Sequence, residues 1–258
     1  MTIRTILLAT AALMTATAAN AAQVAALIGN DTIAIVDTDQ KKAIKSMKVT
    51  GINGALAGID VRPADGMLYG LVEDGTVVTI AADGKATQKS KLDTMVAKGV
   101  AVTGDFNPVA DRLRVMGADG MNLRVNVDDG KVTKDGDHKF ADADMNTGAK
   151  SNIVAGAYTN SVKGAKETAL FNIDGSADAL VKQAPPNDGV LGSIGKLGVK
   201  ADKASFDIWS DGSGKNEAWM MIGDTLYSVD LATGKATEAA KISGVSGTIR
   251  DIAILPAM

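Results

Sequence analysis

Four aspartates, Asp60, Asp105, Asp207 and Asp251, stand in matching short apolar segments: GIDV, GDFN, SFDIW and TIRDIAIL. A carboxylate repeated at equivalent places can do one of two things. If the segments converge on an axis, several oxygen ligands meet, and the chemistry is that of a hard cation such as Ca²⁺. If they do not serve a ligand, each carboxylate fastens neighbouring segments by accepting hydrogen bonds, because a buried carboxylate needs partners. Recurrence favours fastening, since an active site rarely uses every repeat. The cation reading names the same four residues as ligands.

Arginine is scarce, and Arg62, Arg112, Arg114 and Arg124 fall within one stretch of the chain. Arg112 and Arg114 lie two apart and so share one face of a strand, with Leu113 and Val115 on the other. Arg124, between Leu123 and Val125, projects the same way from the next strand. Three guanidinium groups on one face could clamp a carboxylate, phosphate or sulfate. The alternative is pairing with acidic residues of the next structural unit, because an unpaired buried guanidinium is costly. Pro185-Pro186-Asn187-Asp188-Gly189 reads as a stiff, sharply turned loop between units. In its binding reading Asn187 and Asp188 contact a ligand; otherwise the turn only joins two units.

Other chemistries are excluded or weakly marked. The 258 residues contain no Cys and one His, which removes thiolate chemistry, Cys-ligated metals and most His-based sites. No Gly-x-Ser-x-Gly, Ser-x-x-Lys or phosphate loop marks a nucleophile. A formal charge of −3 gives no basic footprint for nucleic acid. The acidic residues Asp128, Asp129, Asp135, Asp137, Asp142 and Asp144 surround His138 without the spacing of an EF-hand loop. They read as a solvated loop, and His138 as a surface residue. Tyr69, Phe171, Trp209, Trp219 and Tyr227 fall on strands and read as packing.

The elements that must position these residues repeat. Segments 57–87, 103–133 and 205–237 share one layout: a short strand carrying Asp, a turn, a second strand, a Gly-containing turn, a third strand, then Gly-Lys-x-Thr opening a fourth. A weaker copy starts near Val154, with Ala157 in place of the aspartate. A fifth is split: Thr248–Leu255 supplies its first strand, and Val24–Ile28, Thr32–Asp37 and Ala43–Val49 the other three. The equivalent positions 60, 105, 157, 207 and 251 are spaced by 45, 52, 50 and 44 residues. A period near 40–50 with four short strands per unit predicts an all-β fold, a β-propeller of five four-stranded blades, its ring closed by N- and C-terminal strands in one blade. With 46% apolar residues the chain can fill such a core, and helical periodicity is confined to the neighbourhood of Lys91–Lys98.

Several segments carry a resemblance: Gly58–Pro63, Phe106–Val115, Asn122–Asn126, Ala157–Asn160, Pro185–Gly189 and Leu197–Val199. Together they resemble DUF4394, a domain of unknown function found in exported bacterial proteins. The resemblance implies a repeat-built β domain in secreted or envelope proteins. It carries over no activity and no catalytic residues.

The N-terminus has the three parts of a secretory signal: Arg4, an apolar run from Ile6 to Thr17, and Ala19-Asn20-Ala21 before a cleavage site at Ala22. The expectation is a signal peptide over 1–21 and one propeller domain over 22–258, exported to the periplasm or the medium. It has no transmembrane segment and acts as a monomer. Its expected role is non-catalytic binding of a protein, a small ligand or a cell-surface component, with no nucleic acid. The alternative is a cation-dependent hydrolase or lactonase-like enzyme, with Ca²⁺ held in the channel by the four aspartates and Asn107. There the cation would polarise a carbonyl or acidify a bound water.

Overall fold

Runs of apolar residues closed by Asp-Gly turns fold locally into hairpins. In Leu68–Ile80 the turn is made by Asp74-Gly75: Gly75 sits at φ +85° and the Asp74 carboxylate accepts the Thr76 amide at 2.8 Å. The computed structural model describes residues 23–256, which form five small antiparallel sheets. The first three strands are β1 (Gln23–Ile28), β2 (Thr32–Asp37) and β3 (Lys42–Lys48). Blade two is β4 (Leu56–Val61), β5 (Leu68–Val72), β6 (Thr76–Ile80) and β7 (Ala86–Lys91). Blade three is β8 (Val102–Asn107), β9 (Arg112–Gly117), β10 (Asn122–Val125) and β11 (Val132–Lys134). After β12 (Lys139–Phe140), blade four is β13 (Ile153–Tyr158), β14 (Leu170–Asp174), β15 (Ala179–Gln183) and β16 (Val190–Lys196). Blade five is β17 (Ser205–Ser210), β18 (Asn216–Ile222), β19 (Thr225–Val229) and β20 (Ala236–Lys241). Finally β21 (Ile249–Ile254) returns to pair antiparallel with β1, Leu27 opposite Asp251, and completes blade one.

The innermost strands β21, β4, β8, β13 and β17 each pack on the next, so the sheets form a closed five-bladed propeller. Pairing the two ends of the chain in one blade leaves no open seam. Because each sheet is covered on both faces by its neighbours, its inner strands are mostly buried, polar positions included. The outer strands β3, β7 and β20 are mostly exposed and rich in Lys, Thr and Ser. Five buried apolar clusters fill the five seams, one for each pair of blades. The cluster between blades three and four is the smallest, with seven buried residues against thirteen between blades four and five.

The repeated Gly-Lys has a seam role as well as a turn role. Gly84, at φ +87°, closes the β6–β7 turn, and a Cβ there would come within 2.5 Å of the Lys48 carbonyl of blade one. Only a residue without a side chain allows that approach. Gly130 and Gly189 occupy the same place against the preceding blade.

Blade four departs from the expectation in two ways. Pro185–Gly189 lies within the blade, as the β15–β16 turn with a 3-10 turn at Pro186–Asp188, instead of joining two blades. The blade also gains a fifth strand, β12, which pairs parallel with β16 along its outer edge. Near Lys91–Lys98 there is no helix; β7 ends at Lys91 and irregular turns follow. The signal-peptide segment lies outside the described residues.

Candidate functional site

The aspartate positions all lie on innermost strands: Asp251 on β21, Asp60 on β4, Asp105 on β8 and Asp207 on β17, with Ala157 on β13. Each aspartate reaches the next blade. Asp251 accepts the Ile59 amide at 2.9 Å, Asp60 that of Phe106 at 2.6 Å, Asp105 that of Tyr158 at 2.9 Å, and Asp207 that of Ile254 at 2.6 Å. The second oxygen of Asp60, Asp207 and Asp251 accepts the amide of the following residue. Gly58 belongs to this arrangement, because a Cβ there would fall 2.8 Å from the Asp251 carboxylate. Four of the five seams are thus clipped by a carboxylate; the seam beyond Ala157 is not.

The carboxylates also crowd one another. One oxygen each from Asp60, Asp105 and Asp207 lie within 4.8 Å of one another, all three residues being buried. Burial, and for Asp60 and Asp105 repulsion by neighbouring carboxylates, pushes these two well above the usual carboxylate range. Burial likewise lifts Asp207 to about 6 and Asp251 to about 8, against the opposing pull of their amide donors. A group of carboxylates with this titration either keeps protons near neutral pH or loses them to a cation, and the geometry offers oxygen ligands of the kind Ca²⁺ takes.

Above two of these carboxylates the channel opens into a cavity of about 320 Å³ at the C-terminal ends of the innermost strands. Asp60 and Asp207 form part of its floor, and Ser161, Ser210 and Asp211 add polar groups to its wall. Trp209 supplies an aromatic side, with Lys215 lying 6.0 Å over its ring. The cavity mixes a few placed polar groups with apolar wall, the composition of small-ligand sites. Asp60 and Asp207 are expected here from the repeat, whereas Ser161, Ser210 and Asp211 are not; Trp209 packs against the cluster between blades one and five, as expected, and also faces the cavity. The signal was present: Trp209–Asp211 follows the repeat aspartate directly, where the inner strand must run out into the channel mouth.

Arg62 and Arg114 are held across the seams by acidic, hydroxyl and amide groups, whereas Arg124 and Arg112 bond within blade three. Arg62 of blade two donates to Asp111 at 2.8 and 2.6 Å and to Asp128 at 3.1 and 2.9 Å, both in blade three. Arg114, almost fully buried, donates to Asn122 at 2.6 Å and Asp135 at 2.9 Å in its own blade. It crosses to blade four through the Tyr158 hydroxyl and the Asn187 side chain, both at 2.8 Å. Arg124 stands opposite Arg114 in the β9–β10 pair and clasps Asp135 at 2.7 and 3.0 Å. Arg112 remains at the β8–β9 turn, donating to the carbonyls of Ala110 and Asp111. Asn107 caps the same turn by accepting the Val109 and Ala110 amides.

Asn187 therefore joins the Arg114 network, whereas Asp188 is exposed and makes a backbone bond to Pro185. His138 differs from its expectation: both ring nitrogens are enclosed away from solvent, with the Gln183 side chain nearby. Burial, reinforced by the nearby Arg114 cation, lowers it to about 4.

The fold and this axial site define the chain as a five-bladed propeller with a carboxylate-lined centre. Residues 32–253 match the family described as a domain of unknown function (DUF4394), and the chain belongs to that family. No curated protein matches. Among solved structures it is similar to a protein of unknown function from Bacteroides thetaiotaomicron, at 14% identity and a TM-score of 0.52, covering 93% of this chain and 68% of that one. A protein of unknown function from Bacteroides caccae is similar at 14% identity and a TM-score of 0.47, covering 91% of this chain and 99% of the other. The first of these likenesses concerns the fold alone. Among the described residues, no helix is long and apolar enough to cross a membrane.

Proposed function

We propose that the protein is an exported, monomeric, non-catalytic propeller that binds a small polar ligand at the channel mouth. The observation that carries this reading is the cavity of about 320 Å³ over Asp60 and Asp207, bounded by Trp209, Ser161, Ser210 and Asp211. A closed ring supplies a rigid wall, so a ligand would enter a largely pre-formed seat. Screening small polar compounds by thermal unfolding tests it: a ligand that binds only the folded chain raises Tm by mass action. Hits should be lost in Trp209→Ala and kept in a variant of the outer strand β3. A screen whose hits all survive Trp209→Ala sinks the reading. For export, N-terminal sequencing of the secreted or periplasmic protein should begin at Ala22.

A second reading is favoured by the convergence of Asp60, Asp105 and Asp207 within 4.8 Å: a Ca²⁺ site serving a hydrolase or lactonase-like reaction. In that case Ca²⁺ added to chelator-stripped protein gives a saturable rise in Tm that Asp105→Asn abolishes. If the aspartates are fasteners only, Ca²⁺, Mg²⁺ and Mn²⁺ leave Tm unchanged.

A further inference from the structure

The opposite rim of the ring holds a second cavity of about 330 Å³, at the N-terminal ends of the innermost strands. Ala57 of β4, Val102 of β8 and Arg250 of β21 contribute to its wall, and the connection between blades two and three covers it. That connection brings Met95, Val96 and Val100 as apolar wall and Lys98 as a second cation. Arg250, Lys98 and Glu73 thus put charged groups on the same wall as aliphatic ones, of which Val96 is itself largely buried in the seam core.

Arg250 is held differently from the seam arginines. Its Nη1 donates to the Leu56 carbonyl at 3.0 Å and the Gly29 carbonyl at 3.4 Å, which fixes the guanidinium between blades one and two. Its Nη2 meets only the Glu73 carboxylate, at 3.4 Å, with the Glu73 side chain 57% exposed. Arg62, Arg114 and Arg124 instead hold Asp111, Asp128 and Asp135 at 2.6–3.1 Å, with Asp65 a further, longer contact of Arg62 at 3.5 Å. A long contact to a solvated carboxylate is a weak one. Glu73 thus stands as a displaceable internal anion in front of a guanidinium already oriented by two backbone carbonyls.

We infer that this cavity binds a small aliphatic carboxylate, its head group taken by Arg250 and Lys98 in place of Glu73, and its alkyl body laid against Met95, Val96 and Val100. A guanidinium edge matches a carboxylate with two parallel hydrogen bonds, and the aliphatic wall excludes strongly hydrated anions such as sulfate. The site is separate from the channel mouth, so the two readings stand or fall independently.

Titrating the protein with hexanoate, followed by calorimetry and by two-dimensional NMR of the 95–102 segment, tests it. Hexanoate should bind saturably, whereas hexanol and inorganic sulfate should not. Glu73→Gln should tighten hexanoate binding several-fold, because it removes the competing anion. Lys98→Glu should weaken it several-fold, and Arg250→Gln at least tenfold. Trp209→Ala should leave it unchanged. If Arg250→Gln fails to fold, the opposite signs of the Glu73 and Lys98 effects still decide, since both side chains are exposed. Absence of hexanoate binding, or equal affinity in Glu73→Gln, Lys98→Glu and the unaltered protein, overturns the inference.

Discussion

Blade four meets its two neighbours in opposite ways. Against blade three it presents polar groups: the Asp105 carboxylate takes the Tyr158 amide, and Arg114 is buried among Tyr158, Asn122, Asp135 and Asn187. Only seven apolar residues are buried there. Against blade five it presents Ala157, Phe171 and Ile173 to Phe206, Ile208 and Met220, within a cluster of thirteen buried apolar residues and with no carboxylate clip. One ring geometry is thus closed once by paired charge and once by apolar packing. The difference teaches that the filling of a seam is interchangeable so long as every buried group is satisfied. Apolar filling tolerates small losses gradually. Charged filling does not, because removing one member strands the others.

The most damaging single change should therefore be in the polar seam. Arg114→Ala leaves Asp135 without one of its two cations and deprives Tyr158, Asn122 and Asn187 of a donor, and should lower stability by about 3–5 kcal/mol. For a chain of this size that is a fall in Tm of about 2–4 °C per kcal/mol. Urea unfolding measures it; a loss under ~1 kcal/mol would mean that the network does not hold the seam. In the apolar seam, Ile208→Ala should lose about 2–5 kcal/mol, according to how far the cluster can collapse. Restoring the missing clip with Ala157→Asp sharpens the contrast. It inserts a carboxyl among Phe171, Phe206 and Ile208, so it should destabilise more at pH 8, where the group must ionise or shift, than at pH 5.

The two kinds of buried group also predict opposite responses to pH. Asp207 and Asp251 have folded values of about 6 and about 8, above their unfolded range. Their contribution is complete below the unfolded value and is lost as pH rises through 6 and 8, at up to ~1.4 kcal/mol per unit for each group. His138 has a folded value of about 4, below its unfolded 6.5, because burial and Arg114 oppose the imidazolium. Its contribution is complete above 6.5 and is lost as pH falls toward 4, to a total of about 3 kcal/mol. The variants His138→Gln and Asp251→Asn separate the two. The first should abolish the acid-side loss and leave the alkaline side alone; the second should remove only the share of the alkaline-side loss that Asp251 contributes up to pH 8, and leave the acid side alone. Equal pH profiles in both variants would show that neither group is buried in the way described.

Much of this architecture was readable because it repeats. The aspartates at 60, 105, 207 and 251 and the Gly-Lys turns at 84 and 130 recur at one period, and hairpin chemistry fixes where strands start and stop. The split blade was readable for the same reason, since 248–255 is an inner strand lacking the three strands that should follow. Blade four was the hardest to read, because it replaces the pattern at both ends. Ala157 hides the inner strand, and Pro185-Pro186 disguised Asn187-Asp188-Gly189, which is the same turn as Asp83-Gly84. The parallel strand β12 has only two residues, too few for any periodicity. The partners of the arginines were beyond sequence reasoning for a different reason. Asp135 and Asp111 look like surface aspartates, and nothing local says which seam they enter. The enclosure of His138 is likewise a property of blade four closing over it, not of its acidic neighbours in the chain.

The seam between blades four and five does contain one polar device, and it offers the smallest and most diagnostic prediction. Asn216 accepts the Asn160 amide at 2.7 Å and the Ser210 hydroxyl at 2.6 Å, and donates to the Asn160 side chain at 3.0 Å. Ser210 in turn accepts the Ser161 amide at 3.0 Å. These groups sit at the rim of the seam, beside the channel mouth, where Asn160 is in the left-handed region at φ +57°. Water reaches this rim, so hydrogen bonds lost from the protein are partly replaced. Asn216→Ala should therefore lower stability by only about 1 kcal/mol, well below Ile208→Ala in the same seam. It should nevertheless alter ligand binding at the channel mouth, because Ser161 and Ser210 lose their alignment. A destabilisation as large as that of Ile208→Ala would place the strength of this seam in its polar rim instead of its apolar interior. Blade four would then be fastened in the same way on both sides.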